Sequence, residues 1–281
     1  MQFYRLKELL ENLYISYKHK FSSKDPVWIL HRFSDEKDIE LIGLITAAYA
    51  YGSVEQINLF IEKFLKSISF KPHEFIINFS KHKDKKFLKG MYYRFYSEDD
   101  LLMLIFALKM ALMKYKSLKG LFLNGFDNKH ENIICALNKF SHIINNYFPK
   151  WKLAGIMRNS YISYMVSNPA NGSPCKRMNL FLRWMVRKDD IDPGIWEDVP
   201  ASKLIIPVDT HIARVSKNLR LVKRKTVDLK FAIELTERLK TFDPVDPVKY
   251  DFALCHAEME KKFKEMGKNQ YRIKKGTVSK G

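Results

Sequence analysis

The sequence predicts an all-α fold, and three observations predict it. Apolar residues recur at helical spacing through nearly the whole chain. No stretch alternates polar with apolar residues for long enough to make a convincing strand. Breakers are sparse, with 11 glycines and 10 prolines in 281 residues, and the densest loop is the stretch SNPANGSPCK at 167–176.

Residues 3–19 read as an amphipathic helix with Leu6, Leu9, Leu10, Leu13 and Tyr14 on one face. Ser34 is placed to cap the next helix, which turns almost wholly apolar from Ile39 and stops at Gly52. Ser53 and Gln56 have the spacing of a capping box for the helix that follows. Ser97 caps EDDLLMLIFALKMALMKYKS, whose three opening acids and basic end suit the helix dipole. Residues 130–147 give another helix, ending before Pro149, and 151–166 one more. Lys176 stands in the first turn of a helix whose Leu180, Phe181 and Trp184 face inward. KLIIPV at 203–208 is the one strand candidate, and Pro207 weighs against a central strand. Asp209 then caps a helix with Ile212, Val215 and Leu219 inward. The expected architecture is ten or so helices in a single domain over 1–260, built as two intimate lobes, with a basic, flexible tail over 261–281.

Composition narrows the partners. A hydrophobic share of 46% belongs to a folded globular chain, not a disordered one. Lysine and arginine outnumber the acids 49 to 31, a net charge of +18, which favours a polyanion because each cation set against a phosphate releases condensed counterions. A lysine-rich bias from an AT-rich genome is the competing explanation. Cys135, Cys175 and Cys255 form no close pair, which argues against a disulfide framework, a cysteine-ligated zinc or an iron–sulfur cluster. His211 has no second His or acid at ligand spacing, so neither a metal nor another cofactor is expected. The charged, amphipathic N-terminus is unlike a signal peptide, and no apolar run approaches the ~20 residues that span a bilayer. The expectation is a cytoplasmic, nucleoid-associated monomer with no membrane partner.

Taken singly, the chemical residues say little. Asp209 is a sensible helix cap, a lysine such as Lys176 near a helix start is ordinary, and Cys175 reads as a small buried residue. Together they carry a resemblance. IIPVDTHIARVSKNL resembles the segment around the catalytic aspartate of the helix-hairpin-helix DNA glycosylases of the endonuclease III type. Upstream, Gly172-Ser-Pro-Cys-Lys176 resembles the hairpin turn that leads into the lysine of bifunctional members. ELIGLITAAYAYGSVEQI stands where those enzymes probe the DNA stack, and DPVKYDFALCHAEME where an acid-bearing helix closes the base pocket. These segments occur in the family's order over residues 40–260. Two departures are visible: the turn keeps one glycine where the family has Leu-Pro-Gly-Val-Gly, and the interval of 33 positions from 176 to 209 is more like that of the archaeal 8-oxoguanine glycosylases, which also lack the cluster. CKRMNLFLRWMVRKDD and IIPVDTH also resemble a bacterial family known only as a domain of unknown function.

What the resemblance implies is a glycosylase with abasic-site lyase activity on double-stranded DNA carrying a lesion, an oxidised purine such as 8-oxoguanine being the best guess. Lys176 would be the amine nucleophile and Asp209 the carboxylate beside C1′. Gly172, Ser173, Arg177, Tyr49 and His211 would contact DNA, Tyr49 filling the gap left by the flipped base, and Asp251 would read a base edge. Tyr49 on a nearly all-apolar helix also reads as core, Gly172 as a plain turn glycine, and Asp251 as a cap or buried ion pair. The alternatives to the enzyme are a DNA- or RNA-binding protein that keeps this fold without catalysis, and an RNA-processing or unrelated helical scaffold.

Overall fold

The computed structural model describes residues 3–18, 25–148 and 162–260. Every regular element among them is helical, as the periodicity predicts. In chain order they are α1 (Phe3–Tyr17), α2 (Glu36–Tyr49), α3 (Val54–Ser67), α4 (Pro72–Asn78), α5 (Lys81–Asp84), α6 (Glu98–Tyr115), α7 (Leu118–Leu123), α8 (Ile134–Asn145), α9 (Ile162–Met165), α10 (Lys176–Val186), α11 (Thr210–Asn218), α12 (Leu229–Lys240) and α13 (Tyr250–Met259). A 3-10 helix, Pro26–Arg32, leads into α2. No helix among the described residues is long and apolar enough to cross a membrane. The expected basic tail over 261–281 and residues 151–161 of the helix expected over 151–166 lie outside the described residues.

α2 is the axis of the core, because every residue from Ile39 to Tyr49 is buried. A helix apolar on all sides must be surrounded, and α10 packs along it while α4, α3 and the 3-10 helix cover other faces. Gly43 faces α10: a Cβ there would stand 2.9 Å from the end of the Met185 side chain and 3.6 Å from Phe181. α1 and α11 both lie against α13. Glu40, buried in the middle of α2, is kept by full use of its oxygens. It accepts the Leu118 and Lys119 amides at the start of α7 (2.9 and 3.2 Å) and the Trp196 indole N–H (2.8 Å). Burial nevertheless raises its carboxyl above the usual range.

Local signals fail where caps compete. The cap of α2 is Asp35, not Ser34: its carboxylate accepts the Lys37 amide at 2.9 Å. That helix ends at Tyr49, before Gly52, because the backbone turns at Ala50. Ser53 is the cap of α3 but makes no side-chain bond, so the capping box is absent there. Ser97 and Asp100 do form one at α6. The helix expected from residue 130 begins at Ile134, after a turn in which Asn132 accepts the Ile134 amide. Residues 204–208 run buried outside any regular element, with no strand partner among the described residues, and deliver the chain to α11.

Candidate functional site

Two helix starts form the site. At α10, the chain turns at Gly172 (φ +73°), where a Cβ would meet nothing within 4 Å, so the glycine is present for its backbone conformation. Ser173 Oγ accepts the Cys175 amide at 3.1 Å, and Cys175 itself takes a left-handed φ of +48° with its side chain buried. This strained entry sets the first helical residue, Lys176, whose Nζ donates to the Ala50 carbonyl at 3.1 Å. At α11, Asp209 caps the helix, Oδ1 accepting the Ile212 amide at 2.8 Å. Its other oxygen lies 3.8 Å from Cys255 Sγ on α13.

Lys176 and Asp209 line one cleft of about 840 Å³. Cys255 lines it too: burial pushes this thiol well above its usual range, with Asp209 and Asp251 adding to the rise and Lys176 opposing it. All four groups therefore share one electrostatic neighbourhood. Ser173, Arg177, His211 and Asp251 line the same cleft, while Gly172 is exposed beside it. His211 Nδ1 is buried without a hydrogen-bond partner. Among the described residues no group of His, Cys, Asp or Glu could hold a metal ion.

The structure corrects one assignment. Tyr49 is fully buried, its ring 4.3 Å from Phe60 and edge-on to Tyr93 and Tyr96, so it is core and cannot enter a DNA stack. Tyr51, two residues later, is the aromatic at the rim. It is 50% exposed, with the Arg94 and Arg177 guanidinium carbons 4.7 and 5.4 Å from its ring centre. Tyr93 Oη donates to the Tyr51 carbonyl at 2.9 Å and fixes the loop. Gly52 takes a φ of +117°, which favours glycine, and it faces the Arg94 guanidinium. The sequence hint was a second tyrosine abutting a Gly-Ser turn, where the chain must leave the core.

Behind the cleft lies an ion network that periodicity concealed. Arg183 on α10 and Arg187, the residue that ends the helix, are both buried. Arg183 bonds Asp192 (3.0 Å) and Asp251, and Arg187 bonds Asp192, Asp189 (2.8 Å) and Asp246 (2.8 Å). Arg183 and Arg187 within the apolar run LFLRWMVR, followed by two aspartates, were the available signal. Asp251 is thus both cleft-lining and ion-paired. Arg183→Met would strand Asp251 and leave Asp192 with one partner, so a loss of ~3–5 kcal/mol in chemical denaturation is expected.

Burial pushes the Asp251 carboxyl up to about 6 against the pull of Arg183, with Asp209 adding to the rise. The folded chain then holds this proton more tightly than the unfolded chain. The resulting stabilisation is complete below about pH 4 and lost as pH rises through about 6. Relative to Asp251→Asn, the wild type should lose roughly 2–3 kcal/mol between pH 4 and pH 7, read by denaturation at both pH values. A parallel pH response in the two proteins would assign the titration elsewhere.

Residues 25–260 match the model of a family described as a protein of unknown function (DUF2400). Neither a curated protein nor a solved structure matches the chain.

Proposed function

The chain belongs to the DUF2400 family, and we propose that this member is a DNA glycosylase with abasic-site lyase activity. One observation carries the reading: Lys176 and Asp209, 33 residues apart in sequence, open two different helices into one cleft. An amine and a carboxylate facing a common space are what the chemistry requires. Asp209 stabilises positive charge as the glycosidic bond loosens. The Lys176 amine bonds to C1′, the base leaves, and the ring-opened Schiff base can β-eliminate to nick the strand. The cleft is roomy enough for an extruded nucleotide, since ligand sites run from about 300 to 1,000 Å³. Arg94, Arg177 and Tyr51 give its rim cations for phosphates and a ring for an unstacked base.

The test is borohydride trapping of the purified chain on duplexes carrying an abasic site, 8-oxoguanine opposite cytosine, or no lesion. A covalent species on the abasic duplex, absent from the undamaged one, is the expected result. Salt-sensitive binding with no trapped species and no base release would favour the binding protein, for which the cationic, aromatic rim would suffice.

A further inference from the structure

One pair of side chains in the cleft has no part in that reaction so far. His256 and Asp25, far apart in sequence, meet where α13 passes the entry to the 3-10 helix, and both line the cleft with Lys176 and Asp209. His256 Nε2 stands 3.3 Å from Asp25 Oδ2. Asp25 Oδ1 accepts the Val27 amide at 3.0 Å, so the carboxylate is fixed by the backbone. Burial works to raise this carboxyl, but the bonds from His256 and Val27, together with the charges of Arg183 and His256, hold it below the usual range. The imidazole is also clamped: Phe252 lies 4.1 Å away, ring to ring, and Tyr17 6.1 Å away on α1. With Nε2 turned to the carboxylate, Nδ1 is the ring's remaining polar atom, and it has no hydrogen-bond partner among the described residues.

We propose that His256, aligned by Asp25, gives its proton to the base that leaves in the reaction assigned above to Lys176 and Asp209. The inference rests on that reading and extends it. A base departing as an anion is a poor leaving group, and a positioned acid typically contributes about 10²–10⁴-fold. As the Lys176 amine forms its bond to C1′, the C1′–N bond breaks and its electron pair goes to the base. Nδ1 of the imidazolium supplies the proton that makes the departing base neutral. The proton shed by the amine passes to Asp209, and solvent reprotonates His256. Asp25 is a positioning residue: by engaging Nε2 it leaves Nδ1 as the nitrogen that can donate. Cys255 adjoins it in the chain, and the Tyr17 hydroxyl, on the ring that neighbours the imidazole, donates to Glu260.

An abasic site has no base left to protonate, and this separates the role from a structural one. Single-turnover base release would be measured for wild type, His256→Gln and Asp25→Asn on duplexes carrying 8-oxoguanine, hypoxanthine or 5-hydroxyuracil, with borohydride trapping on an abasic duplex in parallel. Gln can still donate to Asp25, and Asn can still cap Val27, so at least one variant should fold. The expected result is a split, with release falling on the order of a hundredfold or more and trapping by less than about tenfold. Equal losses in both assays, or unchanged release, overturn the proposal. So does a wild type that traps on the abasic duplex but releases none of the three bases. A wild type that neither traps nor releases overturns the parent reading, and this one with it.

Discussion

Lys176→Gln is expected to abolish the borohydride-trapped species, lowering its yield at least on the order of a thousandfold, while DNA affinity changes only severalfold. The physical reason is that an amide nitrogen has no lone pair available to attack C1′. The geometry keeps the comparison clean. Lys176 Nζ donates to the Ala50 carbonyl, and a glutamine amide is also a donor, so the side chain can hold much the same course. One positive charge is lost from a chain with a net charge of +18, so the slope of log affinity against log salt should fall by about one unit or less. Quantified gels for trapping and anisotropy titrations at several salt concentrations read the two effects separately. A trapped band that survives would move the nucleophile to another amine.

Asp209→Asn should lower single-turnover base release by 10²–10³ on the order of other electrostatic deletions, with almost no change in melting temperature. Asp209 does two jobs, and this substitution removes one of them. As a cap it accepts the Ile212 amide through Oδ1, and asparagine caps about as well as aspartate. As a charge beside C1′ it has no replacement in the amide. Asp209→Ala is the control that removes both, and should cost a further ~1 kcal/mol of stability through the lost cap. If the asparagine variant turned over normally, capping would be the whole role of this residue, and the stabilising carboxylate would have to be sought at Asp251.

The helical architecture was legible because periodicity reports burial, and here burial is nearly continuous along α2, α6 and α10. The helix start at Asp209 was equally legible, since an N-cap is a local contract between a side chain and an amide three residues on. Tyr49 and Tyr51 show where that logic stops. Both are tyrosines at the end of an apolar helix, and only the turn at Ala50 decides that the first faces Phe60 and the second the rim. The Asp25–His256 pair was out of reach altogether, because nothing in either neighbourhood signals a partner 231 residues away. Arg183 and Arg187 could have been suspected from charge in an apolar run, but their partners on two later segments could not have been named.

Gly43 gives the site a lever arm. It sits seven residues before Ala50 on the same helix, about 10 Å at 1.5 Å per residue, and touches no group with a chemical role. Yet α10 carries the amine, while the residue that ends α2 carries the carbonyl that holds it. A methyl group at position 43 would meet only the flexible end of Met185, which can turn aside, and would stand at ordinary contact distance from Phe181. A longer side chain there would press on Phe181 as well and load α10, retuning the distance between amine and loop while leaving every cleft residue in place.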